Sequence, residues 1–226
     1  MKNKLTALAM LFLITSGLVL ITSNVNAQKG NFGVRFMPTF TSFNVRGADG
    51  NTVKGNVTLG FGAGIVIGRN FNKNVGLNLE VLYSSITQKF AEVNGNRKVR
   101  LNYVNIPILL SLNTGIYKRL NFNVTVGPQI GLSVGSNMVT TSNDGSNVSQ
   151  AVLSIKKGDF GFAYGAGIDF SLNEENTLKL SLGYRGVYGL VDISNDNKTV
   201  TTGSYYLLDR THLVTNSGYI GFTALF

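Results

Sequence analysis

This chain is predicted to be all-β, folded as an eight-stranded antiparallel transmembrane β-barrel of small size behind a cleaved signal peptide. Three observations predict it. Apolar residues alternate with small or polar ones over stretches far longer than the usual strand of about 5–6 residues. The connections between these stretches are short and long in turn. The first residues read as an export signal, and no second long apolar run follows. Strict alternation describes a strand with two unlike faces, because successive side chains point to opposite sides of a sheet. A tilted strand needs about 9–11 residues to cross a bilayer, and barrels that do so carry apolar residues outside and polar ones inside.

Composition narrows the class. The 226 residues include 27 glycines, no cysteine, no tryptophan and a formal charge of +9. Glycine exceeds its usual share of about 7%, without the G-X-Y period of collagen, which suits tight turns and a narrow interior. The lack of cysteine excludes disulfides, thiolate metal sites and a lipid-modified N-terminus. In "MKNKLTALAMLFLITSGLVLITSNVNAQKG", Lys2 and Lys4 supply the positive region, Leu5 to Ile21 the apolar run, and Val25-Asn26-Ala27 a small-residue cleavage site. Residues 1–27 are therefore expected to be the signal peptide and 28–226 a single barrel domain, with two fewer positive charges than the whole chain. An uncleaved anchor fits less well, because the run is short and Ser16, Gly17 and Thr22 interrupt it.

The strands follow in order. About Gly30 to Asn44, Phe32, Val34, Phe36, Pro38 and Phe40 oppose Gly33, Arg35, Thr39 and Thr41; about Asn56 to Asn70, Leu59, Phe61, Ile65 and Ile67 oppose Thr58, Gly60, Gly62 and Gly64. About Val75 to Phe90, Leu77, Leu79, Val81 and Tyr83 oppose Gly76, Asn78, Glu80 and Ser84. The fourth strand, about Val99 to Asn113, is apolar on both faces near "YVNIPILLSL", which leaves its register open. The fifth, "RLNFNVTVGPQIGLSVGSN" from Arg119 to Asn137, sets Leu120, Phe122, Val124, Val126 and Ile130 against Asn121, Asn123, Thr125 and Gln129. About Gly158 to Leu172, Phe160, Phe162, Tyr164, Ile168 and Phe170 oppose Asp159, Gly161, Gly165 and Asp169. About Thr177 to Ile193, Leu178, Leu180, Leu182 and Tyr184 oppose Lys179, Ser181, Gly183 and Arg185, and "GYIGFTALF" closes the chain.

Connections near 70–74, 114–118 and 173–176 are short, whereas those near 46–55, 91–98, 138–157 and 194–210 are longer and rich in Asn, Asp, Ser, Thr and Gly. Outer-membrane barrels have short periplasmic turns and long external loops, so both mature termini are expected on the periplasmic side in a Gram-negative outer membrane. The rival is a soluble barrel with the apolar series inside. That series would overfill a small barrel's interior. The Gly, Ser, Thr and Asn series would make a poor soluble surface, which is usually dense in charge.

Read together, these segments resemble the PorT-like outer-membrane β-barrel proteins of Bacteroidetes. "LNYVNIPILLSL" is similar to that family's Tyr-Leu-Glu-Ile-Pro-Leu-Leu-Leu strand, with Asn105 where the family often has Glu. "NFNVTVGPQIGLSVG" is similar to its Gly-Pro strand, "DFGFAYGAGIDF" to its Gly-x-Gly strand, and "LSLGYRGVYGLVDI" to its Tyr-Arg-x-x-x-Gly-Leu segment. The final Phe226 resembles the aromatic end through which such chains engage the barrel-assembly machinery. The resemblance implies fold and location, and for the family's named member a part in protein secretion.

Candidate chemistry is sparse. His212, the one histidine, falls near the rim where acyl-chain enzymes place theirs, but no His-x-Ser pair or orienting group accompanies it, so no catalytic residue is expected. The glycine clusters 60–64 and 165–167 open no helix, which excludes a phosphate loop, and no cofactor or metal site is expected. Lys and Arg are scattered rather than clustered with aromatics, which favours a lipid-facing rim over a nucleic-acid partner. Arg35, Glu80, Asp169, Lys179 and Arg185 share the small, polar face, where charge must be paired. Counted along their strands, Arg35, Glu80, Asp169 and Lys179 fall at similar depth, so one charge plug is expected, with Glu80 pairing Arg35 or Lys179. The expected role is a non-enzymatic structural or surface-interaction barrel in contact with outer-membrane lipid and a possible surface or secretion-complex partner. The alternatives are a secretion-accessory barrel and a narrow small-solute pore.

Overall fold

The computed structural model describes residues 30–42, 44–46, 52–54, 58–92, 95–142, 147–148, 158–191, 207–208 and 214–226. The expected signal peptide and His212 lie outside them. Eight long strands make up the barrel: β1 (Gly30–Ser42), β2 (Thr58–Asn70), β3 (Val75–Glu92), β4 (Gly95–Asn113), β5 (Leu120–Ser142), β6 (Gly158–Ser171), β7 (Leu178–Gly189) and β8 (Val214–Leu225). Each pairs antiparallel with its sequence neighbours, and β1 pairs with β8 from Asn31 opposite Leu225 to Ser42 opposite Val214. The sheet is thereby closed. Closure satisfies the wall's backbone groups strand to strand, which hydrocarbon requires because it offers no hydrogen bonds of its own.

The faces divide as alternation demands. On β5, Phe122 and Val124 are about half exposed, at 50% and 53%, whereas Asn121, Thr125 and Gln129 are buried. The same parity carries Phe32, Phe36, Leu79, Tyr83, Phe162 and Phe222 to the outside. A soluble barrel needs these residues inside, and they are not. Tyr164 and Tyr184 stand with ring centroids 6.4 Å apart on the outer face.

At one end the strands are joined by tight turns, built by asparagine. Asn72 Oδ1 accepts from the backbone N–H groups of Asn74 and Val75 at 2.8 and 2.9 Å, and Asn173 Oδ1 accepts from those of Thr177 and Leu178 at 2.9 Å each. Such bonds let a side chain stand in for a backbone turn. Asn176 takes a positive φ of 57°, a conformation asparagine tolerates better than other side chains. The chain enters and leaves the barrel at this end: Gly30 and Phe226 exchange backbone bonds of 2.8 and 3.0 Å.

The opposite end departs from expectation. The segment 91–98, expected as a loop, is largely strand, since β3 reaches Glu92 and β4 begins at Gly95. β5 likewise continues to Ser142, where Thr140 and Thr141 pair with Val148 and Asn147. Asn44–Arg46 pairs with Thr52–Lys54 and with Leu207–Leu208, within two of the other expected loops. Alternation fades where both faces meet water, while the backbone ladder continues. With 18, 19 and 23 residues, β3, β4 and β5 outrun the 12 to 14 of the other strands and project as one wall.

The fourth strand resolves its two apolar faces by packing inward as well as outward. Leu101, Tyr103 and Leu109 are almost fully buried in the lumen, and Leu109 packs with Ala163 of β6 and Val187 of β7. Met37, Leu82 and Tyr219 form a second inward apolar cluster. A register shift between Asn102 and Tyr103 accommodates one extra residue of β5, since Asn102 faces Gly135 and Tyr103 faces Ser133.

Candidate functional site

Among the described residues, charge gathers in the lumen, in two layers. In the middle layer Glu80 on β3 lies between two guanidinium groups. Arg35 on β1 reaches its Oε1 at 2.5 Å. Arg185, from β7 across the lumen, reaches Oε1 at 3.1 Å through Nη2 and Oε2 at 3.3 Å through Nη1. Glu80 and Arg185 are fully enclosed, with exposures of 0% and 1%. One carboxylate cannot neutralise two cations, and the surplus positive charge lies against an aromatic face. The Arg35 guanidinium sits 4.3 Å from the centre of the Tyr219 ring, and that of Arg185 sits 6.0 Å from it. A ring's negative face attracts cations at such distances. The ring fits because its neighbours are small: a Cβ on Gly183 would lie 2.5 Å from it.

The second layer seals the short-turn end and depends on amides. Asp169 Oδ2 accepts from Nδ2 of Asn121 at 2.8 Å and of Asn123 at 2.9 Å. Asn121 also donates to Asn113 Oδ1 at 3.0 Å and accepts from the Gly115 N–H at 3.0 Å. Lys179 donates from Nζ to the Lys118 carbonyl at 3.0 Å and to Ser171 Oγ at 3.1 Å. Between the layers and above them lie two cavities of about 60 and 30 Å³, room for a few waters. Above the middle layer, Thr39 and Ser217 share a hydroxyl bond of 2.8 Å, and Asn105 donates to Ser84 Oγ at 3.0 Å.

All five charged residues singled out from the sequence lie on the inward face, but they do not form one cluster. Arg35, Glu80 and Arg185 meet. Asp169 and Lys179 belong to the turn-end layer, and Lys179 is not a partner of Glu80. The expectation counted residues along each strand, whereas the tilt and stagger of a closed barrel put equal counts at unequal heights. Arg185, expected at another depth, crosses the lumen on its long side chain. Tyr219 and the turn-end asparagines went unrecognised as site residues. The signal for Tyr219 was its parity, an aromatic in the inward series with Thr215 and Ser217. Among the described residues no group of His, Asp or Glu is arranged to hold a metal ion.

Comparison with known proteins agrees with this architecture. OprG, an outer membrane protein of Pseudomonas aeruginosa, superposes with a TM-score of 0.50 at 15% identity, over 87% of this chain and 96% of its own. The outer membrane protein AlkL, determined in DMPC lipid bilayers, superposes with a TM-score of 0.50 at 14% identity, over 91% of this chain and 93% of its own. At such identities the likeness is one of fold. No curated protein matches the chain in sequence. Residues 26–195 match the family described as outer membrane protein beta-barrel domain, and with the closed eight-stranded wall this places the chain in that family, as an outer-membrane β-barrel.

Proposed function

We propose that the protein is a closed, non-enzymatic barrel of structural or surface-interaction type, whose working surface is the projecting β3–β4–β5 wall and the long connections at that end. The observation that carries this reading is the contrast between a filled lumen and an extended rim. Arg35, Glu80, Arg185 and Tyr219 spend their charge and hydrogen bonds on one another across the middle of the barrel, which is the chemistry of a plug. The length invested in β3 to β5 lies outside that plug, where it can meet a partner. On this reading the long connections face outward and the termini face the periplasm, the leader is cleaved after Ala27, and the strand ending at Phe226 is handled by the assembly machinery. The quoted motifs support placing the chain in the PorT-like subgroup. A secretion-accessory role is the second reading, favoured by that resemblance.

Topology and closure test the proposal together. A protease site inserted near Asp144 is expected to be cut on intact cells, and one near Glu174 only after the outer membrane is permeabilised. The purified barrel is expected to show no steady conductance in planar bilayers. Cleavage in the reverse order, or stable single-channel openings, would reject this reading, the latter in favour of a small-solute pore.

A further inference from the structure

The barrel wall parts between β2 and β3. The β2–β3 ladder ends at Phe61 opposite Ser85, while β2 remains paired with β1 as far as Thr58 opposite Thr41. β3 remains paired with β4 as far as Glu92 opposite Gly95. The strands diverge between these limits, and an outward groove of about 470 Å³ opens there, within the usual range of ligand sites, about 300–1,000 Å³. One part of its lining is apolar: Leu59, Phe61 and Tyr83 are 58%, 48% and 45% exposed. The other part is polar, with Ser85, Asn102 and the exposed Arg100. Asn102 Oδ1 is buried there without a hydrogen-bond partner.

This lining straddles the edge of the apolar belt. Along the outward series of β4, Ile108, Ile106 and Val104 give way to Asn102 and Arg100, and along β3, Val81 and Tyr83 give way to Ser85 and Thr87. Beyond the groove the same hairpin carries an excess of positive charge, with Lys89, Arg97, Lys98 and Arg100 against Glu92 alone between residues 85 and 102. Lys89 and Lys98 occupy directly opposed ladder positions.

We infer that the groove binds a phosphate-bearing membrane lipid, its acyl chain against Leu59, Phe61 and Tyr83 and its phosphate at Arg100. An apolar floor alone suits any lipid. The adjoining cationic hairpin selects an anionic headgroup, and a guanidinium can bind phosphate through two parallel hydrogen bonds.

The chain has no tryptophan, so Leu59→Trp provides a single fluorescent reporter in the groove, and Phe162→Trp on β6 serves as a control on another part of the wall. Each variant is folded into phosphatidylcholine vesicles containing either brominated phosphatidic acid or brominated phosphatidylcholine, with folding verified by heat-modifiable gel mobility. Bromine quenches tryptophan on contact. Quenching at position 59 is expected to favour phosphatidic acid by at least about threefold, the scale of an exposed ion pair near a charged surface, with a ratio near one at position 162. Adding Arg100→Gln and Lys98→Gln is expected to bring the ratio at 59 to about one. A ratio near one at 59 in the otherwise unmodified folded barrel overturns the inference. So does an equal preference at both positions, which would reflect general attraction. Loss of the preference on adding inorganic phosphate would show a site for phosphate without its lipid.

Discussion

The middle of the lumen and its short-turn end each turn a carboxylate inward, the fully buried Glu80 in one and the half-buried Asp169 in the other, and the two are held by different forces. Glu80 faces two full cations at 2.5 and 3.1 Å. Asp169 faces two neutral amides at 2.8 and 2.9 Å, while the nearby Lys179 is satisfied by a carbonyl and a hydroxyl. The first carboxylate compensates charge, and the second organises hydrogen bonds. Removing the first strands two guanidinium groups in the barrel's interior, whereas removing the second strands two amide donors. Desolvated ions cost several kcal/mol each and desolvated amides much less, so the two layers should respond unequally to the same substitution.

The largest effect is expected at Glu80. Glu80→Ala should lower the unfolding free energy in phospholipid vesicles by about 3–5 kcal/mol, the usual cost of leaving a buried charge without its partner. Asp169→Ala should cost about 1–3 kcal/mol, because Asn121 and Asn123 lose a shared acceptor and Lys179 loses a nearby opposite charge but keeps its carbonyl and hydroxyl partners. Asp169→Asn, which keeps a carbonyl oxygen in place, should cost less again. Urea titrations of the three variants measure this order. A greater loss at Asp169 than at Glu80 would break the distinction between the layers.

What could be read from the sequence follows the same physical division. Strand positions were legible wherever lipid lies on one side and the lumen on the other, because that contrast writes Val124 and Ile130 against Thr125 and Gln129 at a period of two. It fades beyond the belt, which is why β3 was expected to end near Phe90 and β5 near Asn137, although their ladders run to Glu92 and Ser142. Alternation also identifies which residues face inward without stating which meet. That depends on stagger between strands, so Arg35, Glu80 and Arg185 were each placed on the correct face, yet Lys179 stood beside Arg35 as an equal candidate to pair Glu80, and of these two only Arg35 does so. The inward Leu109 and Tyr219 were hidden for another reason: the lumen is filled by volume as well as polarity, and an apolar residue on the polar face looks like a register error until its neighbours are known.

The central claim is that Glu80 stabilises the barrel by compensating Arg35 and Arg185, and it is tested most directly by removing all three charges together. Unfolding free energies in vesicles are compared for Glu80→Leu alone and for Glu80→Leu combined with Arg35→Met and Arg185→Met. Burying apolar side chains of similar volume in place of an ion cluster is often neutral or stabilising, so the triple variant is expected to recover most of the stability lost by the single one. A triple variant as unstable as Glu80→Leu, or less stable, would contradict charge compensation as the role of Glu80.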